Sequence, residues 1–225
     1  MRLSGTGDRK MIYLISDIHG DKDFKGLKEY AANAGEEDLL IILGDVGLAF
    51  EKTEENREFT RFFMGLQKPI AIVDGNHENF AFLNSFPQEE WNGGRVHRLS
   101  PYIVHLMRGN IYDLEEKSFF VFGGCKSSAK WAQMGLWYPG EEATEAECAF
   151  ARTNLAAHEN QVDYILTHKY EEEPSVGTVS ISLQKLTAEI ERDVSYRTWY
   201  AGHWHMRKIV DDRHELVYED LVAIT

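Results

Sequence analysis

The run Leu39–Leu43, continued by Gly44, Asp45, Val46 and Gly47, restricts the fold of this chain more than any other stretch. Five consecutive apolar residues without polar alternation fit a strand covered on both faces, and such strands belong to parallel sheets of α/β proteins. The run ends on a carboxylate between two glycines, so Asp45 is carried onto a turn at the carboxyl end of a strand. In open α/β sheets that is the edge where ligands gather.

The same pattern occurs on either side. Residues 11–16 (MIYLIS) stop abruptly at Asp17, and residues 69–73 (PIAIV) stop at Asp74, Gly75, Asn76 and His77. The polar, periodic residues 21–34, closed by Gly35, and residues 53–67 read as helices between them. Three strands in βαβ order put Asp17, Asp45 and Asn76 on one sheet edge.

Beyond residue 93 the character changes. Residues 95–99, 102–106, 110–114 and 117–122 are short β-prone runs broken by Gly, Asn and Pro, which predicts antiparallel strands. Residues 123–142 are rich in Gly and aromatics without a period. A loop of that length in a compact domain predicts a substrate-side flap, with Trp131, Trp137 and Tyr138 packed within it or against the core. Residues 143–158 read as a helix with Thr144 as N-cap and Glu147 at the capping-box spacing.

Toward the end, residues 162–166 form a strand that ends at Thr167 and His168, and residues 179–190 are weakly helical. The strand at residues 198–201 ends at Gly202 and His203, and residues 207–210 and 216–218 close the chain as strands. The expected fold is α/β, a two-sheet β-sandwich flanked by helices, with the site at the strand carboxyl ends. One domain is expected over residues 11–225 after a frayed lead-in at residues 1–10.

Of the 225 residues 43% are hydrophobic, which is ample for one core. A formal net charge of −13 excludes a general nucleic-acid-binding surface, because that depends on Lys and Arg neutralising phosphates. It does not exclude a phosphate substrate, since bound cations set the local sign inside a pocket. Cys125 and Cys148 are too few for a disulfide framework and read as reduced, packed residues. The first ten residues lack a signal-peptide pattern, and no apolar run approaches the roughly 18 residues of a membrane span, so a soluble cytoplasmic protein is expected.

Asp17 with His19, Asp45, Asn76, His168, and His203 with His205 form a set of carboxylate, imidazole and amide donors without a thiolate. Such a set suits Mn, Fe, Ni or Zn and admits Mg, and the set alone does not choose among them. The expected cofactor is two divalent ions, manganese foremost. Two metals roughly 3.5 to 4 Å apart need a bridging group, and a carboxylate offers one oxygen to each while a shared hydroxide is aimed at phosphorus. Asp45 is assigned to the bridge. The Asp-x-His spacing of Asp17 and His19 turns both side chains out of one strand-end turn, because alternate residues of an extended chain point the same way, so the two can share one metal; the same alternation lets His203 and His205 project together. Whether the last two face one metal or one each is not set by their spacing.

In order and approximate spacing, Asp17-Ile18-His19-Gly20, Gly44-Asp45, Gly75-Asn76-His77-Glu78, His168 and Gly202-His203-Trp204-His205 resemble the calcineurin-like metallophosphoesterases over roughly residues 11–206. Met107-Arg108-Gly109 with Gly123-Gly124 is similar to small bacterial and phage-borne members. The resemblance implies one metal on Asp17, His19, Asp45 and His205, and the other on Asp45, Asn76, His168 and His203. It implies that His77 protonates the leaving oxygen, and that a phosphate ester, mono or di, is the substrate.

The motif Gly-Asp-x-x-Asp-Arg-Gly of the protein phosphatases is absent, because Gly44-Asp45-Val46-Gly47 runs on into Leu48-Ala49-Phe50. The cation that holds phosphate is therefore open among Arg108, Lys126, Lys130 and Arg152. The competing expectation is a catalytically silent metal-binding or scaffold protein of the same fold. His97, His105, His158 and His214 fit no motif and read as structural or surface residues, Glu171 to Glu173 as a solvated charge run, and Glu78 as a supporting residue.

Overall fold

The computed structural model describes residues 10–170 and 181–224. Two mixed sheets pack face to face, with helices on both outer faces. The first is built around β1 (Ile12–Ile15), β2 (Leu39–Leu43), β3 (Ile70–Val73) and β6 (Ile103–Leu106), which run parallel. Antiparallel β5 (Gly94–Arg98) and β4 (Gln88–Trp91) extend one edge, and antiparallel β13 (Val222–Ile224) covers the other. In the second sheet β8 (Lys117–Phe122), β9 (Tyr164–Thr167), β10 (Thr198–Ala201) and β12 (His214–Leu216) run parallel, between antiparallel β7 (Ile111–Leu114) and β11 (Lys208–Ile209).

Strand alternation sorts the apolar runs into layers. Ile41 and Leu43 of β2 face inward with Phe119 and Val121 of β8, while Leu40 and Ile42 turn outward to α1 (Lys25–Asn33) and α2 (Glu54–Met64). On the far side Phe120 and Phe122 of β8 pack under α5 (Glu145–Ala157) and α6 (Ile181–Asp193) with Leu155, Leu186 and Trp199. Both faces of both sheets are thus buried, which is why the runs are continuously apolar.

Several expectations shift in place. The first helix begins at Lys25 rather than residue 21, because Asp21 to Phe24 form a turn in which the Phe24 N–H donates to the Asp21 carbonyl. The middle strands are not all antiparallel. All four residues of β6 are buried, and that strand lies parallel to β3 as a central member of the first sheet. β4 (QEEW) and β13 (VAI) escape the sequence pattern because one is a charged, exposed edge and the other only three residues long. The capping box at α5 is formed: Thr144 Oγ1 accepts from the Glu147 N–H, and Glu147 Oε2 accepts from the Thr144 N–H at 2.7 Å. The loop at 123–142 contains two further short features, α4 (Ala129–Gln133) and the turn that carries Glu141; α3 (Phe80–Leu83) follows the His77 loop. The first nine residues of the lead-in and Glu171 to Glu173 lie outside the described residues.

Candidate metal centre

The turns after β1, β2, β3, β9 and β10 meet at one end of the sandwich. They are stitched by backbone hydrogen bonds: Asp17 N–H to the Gly44 carbonyl, His19 N–H to the Asp45 carbonyl, Gly202 N–H to the His168 carbonyl. Asp17, His19, Asp45, His203 and His205 all have φ between 49° and 71°, the left-handed region that costs a side-chain-bearing residue strain. Asp17 and His19 therefore converge because each closes a tight turn, not because an extended strand alternates, and the same holds for His203 and His205. Gly75 lets its loop pass against Asp45; a Cβ there would collide with the Asp45 carboxylate and backbone nitrogen.

Two groups of metal-ligand atoms result. Asp17, His19 and His205 form one and Asp45, His168 and His203 the other, so the two histidines of the last motif part company. In the first, His19 Nε2 and His205 Nε2 are 3.0 Å apart, and His205 Nε2 is 3.4 Å from Asp17 Oδ1. In the second, His168 Nε2 lies 3.4 Å from Asp45 Oδ1 and 3.3 Å from His203 Nδ1. Asn76 Oδ1 joins it at 3.2 Å from His168 Nε2. His19 and His205 are exposed, whereas Asp45 and His168 are buried, so one group is open to solvent and the other enclosed.

The donors fit cations. Asp17 Oδ1 is buried and makes no hydrogen bond among the described residues, a costly state for a carboxylate oxygen unless a cation satisfies it. Two imidazole nitrogens 3.0 Å apart, as in His19 and His205, likewise need a proton or a shared cation between them. His168 Nδ1 donates to the Leu43 carbonyl at 2.7 Å, which leaves Nε2 turned to the site, the arrangement that orients a ligating histidine.

Electrostatics follow from burial and pairing. Burial opposes ionisation of Asp45, yet His168, then His77 and His19, hold its carboxyl far below the ordinary range. Burial lowers His168, but the Asp45 carboxylate more than offsets it and lifts the ring to about 9. His203 is pushed down to about 3 by burial and then by His168. His77 is lowered by burial, against the pull of Asp45. Glu78 is driven up to about 8 by burial and then by Asp45, while Oε1 accepts from the Val46 N–H at 2.8 Å and so supports the Asp45 turn.

His77 lines a cavity of about 470 Å³ together with His19, Asp45, Phe50, Trp131 and His205. Its ring packs edge-on against Trp131 at 4.5 Å, Phe50 at 5.1 Å and His19 at 5.0 Å. Trp131 thus faces the cavity, whereas Tyr138 donates to the Phe50 carbonyl and Trp137 is exposed.

None of the four candidate phosphate cations lines that cavity. Arg108 is buried and donates to Asp74 Oδ2 from Nε at 2.8 Å and from Nη2 at 2.5 Å. Arg152 spans Glu145 and Glu189, and Lys126 lies 3.5 Å from Glu142. Lys130 is exposed on α4, next to Trp131. Sequence reasoning passed over Asp74, whose polar side chain directly after an apolar strand was the available signal. Beyond Arg108, Asp74 accepts from His105 Nε2 at 3.2 Å; His105 stacks on His97, and Gln88 donates to His97. Cys125 was read as plain packing, yet its Sγ sits 3.3 Å from Asn76 Oδ1. Neither cysteine forms a disulfide, and both are buried.

Fold and site define an α/β sandwich with a carboxylate–histidine cluster at the strand carboxyl ends, suited to divalent metal. The sequence profile of the calcineurin-like phosphoesterases matches residues 10–207, and the chain belongs to that family, whose members are metal-dependent phosphoester hydrolases. Fifteen solved chains also match; one crystal structure, 12% identical, covers 94% of this chain and 90% of its own with a TM-score of 0.50, a likeness of fold. None of the curated proteins compared with the chain matches it. Among the described residues no helix is long and apolar enough to cross a membrane.

Proposed function

We propose that residues 11–225 work as one phosphoesterase unit that holds two divalent metal ions and hydrolyses a phosphate ester, with His77 as general acid. The observation that carries this is the position of Asp45: Oδ1 lies 3.4 Å from His168 Nε2 and Oδ2 lies 3.7 Å from His19 Nε2, one oxygen toward each ligand group. One cation falls to Asp17, His19, Asp45 and His205, and the other to Asp45, Asn76, His168 and His203. Bound divalent ions, manganese foremost and Fe, Zn, Ni or Mg compatible, supply charge against the phosphoryl oxygens and lower the pKa of water.

The protein's own part is placement and proton supply. The left-handed turns hold the donors rigidly, so little reorganisation accompanies charge development. His77 stands at the cavity wall, where burial favours the neutral ring. A phosphate ester entering beside it brings the negative charge that draws a proton onto the ring, ready for the leaving oxygen. No Lys or Arg lines the cavity among the described residues, so this reading leaves neutralisation of the substrate to the metals.

The test is hydrolysis of p-nitrophenyl phosphate and bis-p-nitrophenyl phosphate by metal-stripped protein reloaded with Mn²⁺. Metal-dependent turnover supports the reading, and the preferred ester separates monoesterase from diesterase. Two bound metals with no turnover of either ester would move the protein to the silent scaffold.

A further inference from the structure

The loop between β8 and α5 reaches the metal centre at one point that catalysis does not otherwise use. Asn76 Nδ2 donates to Ser127 Oγ at 3.0 Å, and the Ser127 N–H donates to Glu141 Oε1 at 2.8 Å. Burial pushes the Glu141 carboxyl up, and its Oε2 is buried without a hydrogen-bond partner among the described residues, which leaves an acceptor beside Ser127. Asn76, Ser127 and Glu141 are 3%, 8% and 1% exposed, so water does not compete with these bonds.

An asparagine amide has one end that ligates a metal and one that does not, and the two have nearly the same shape. A serine hydroxyl alone does not choose between them, because it donates as readily as it accepts. A carboxylate does choose, since it only accepts. If the Ser127 hydroxyl gives its proton to that open Glu141 oxygen, its lone pair is left for Asn76 Nδ2, and the Asn76 carbonyl oxygen is turned to His168 Nε2. Cys125 Sγ, 3.3 Å from Asn76 Oδ1, donates at the same end and agrees with that orientation.

We infer that Ser127 and Glu141 are positioning residues for the enclosed metal of the two-metal centre proposed above: a Glu141–Ser127–Asn76 relay fixes the asparagine with its oxygen toward the ion. Outer partners of this kind change metal affinity by about 10- to 100-fold when removed.

The test is equilibrium dialysis of metal-stripped protein against graded free Mn²⁺, with metal analysis, for the native chain, Ser127→Ala, Ser127→Thr and Glu141→Gln. Thermal unfolding of each metal-free protein is measured alongside. The native chain binds two ions in two steps. Ser127→Ala weakens only one step, by about 10- to 100-fold, with the metal-free melting temperature little changed, and Ser127→Thr, which keeps the hydroxyl, restores it. Glu141→Gln, whose amide can donate to Ser127 and reverse the relay, weakens the same step. Unchanged affinities in Ser127→Ala, or equal weakening of both steps, overturn the inference. An unaffected Glu141→Gln removes the carboxylate from the relay. Fewer than two ions on the native chain would instead overturn the two-metal reading on which the relay rests.

Discussion

The backbone N–H of His77 donates to Asp45 Oδ1 at 2.7 Å, so the residue proposed as acid and the residue proposed as bridge are locked together across 32 positions of sequence. The bond passes over Gly75, where any side chain would strike the Asp45 carboxylate. The same oxygen faces His168, while the other faces His19.

Replacing Asp45 therefore tests the centre directly. Asp45→Asn keeps the shape but removes the charge, and one of its two positions becomes an amide nitrogen that neither ligates nor accepts from His77. At least one metal should be lost when the Mn²⁺-loaded variant is dialysed and assayed for metal under conditions in which the native chain keeps two ions. Two fully retained ions would sink the bridge.

His77 is not a ligand in the proposed scheme. His77→Ala should leave both ions bound and lower kcat on p-nitrophenyl esters by about 10² to 10⁴, the span of a general acid. Turnover equal to the native rate would remove it from the chemistry.

Trp131 touches the His77 ring and lines the cavity, so the wall nearest the leaving group is aromatic. Trp131→Ala should lower kcat/KM for aryl phosphate esters about tenfold relative to small alkyl esters, since an aromatic pair contributes up to about 1.5 kcal/mol. Equal loss on both classes would mean that Trp131 merely steadies His77.

The Asp74–Arg108 pair gives a pH signature. The carboxyl is buried, which alone would raise it, but Arg108 and His105 bring it down to about 2 from 3.8. Its folded value is depressed, so its contribution is complete above about pH 4 and is lost as pH falls toward 2. Asp74→Asn leaves the buried Arg108 charge to the half-buried Glu147 carboxylate at 3.4 Å, and the loss of its close partner should destabilise by about 3 to 5 kcal/mol at neutral pH. That gap should narrow between pH 4 and pH 2, as read by urea unfolding of both proteins; a gap independent of pH would show that charge is not what Asp74 contributes.

Much of the fold was legible because burial on both faces leaves an unmistakable mark. Residues 39–43 cannot be a surface strand, and the glycine-flanked Asp45 after them marks the sheet edge where the centre lies. β4 was not legible, since an exposed edge strand such as QEEW has no apolar face to display. Nor was the place of β6, because its neighbour β3 is chosen by sheet assembly and not by local pattern.

The candidate site divides along the same line. Residue type and order alone determined that carboxylates, imidazoles and an amide follow five strands, since ligand chemistry is a property of the side chain. Tertiary structure decided where each points: left-handed turns at Asp17, His19, Asp45, His203 and His205 override strand alternation and send His205 to Asp17 but His203 to His168. It also turned Arg108 toward Asp74, 34 residues away in sequence, away from the cavity that a phosphate cation would line. A charge's role is set by its nearest buried partner, and that partner exists only once the chain has folded.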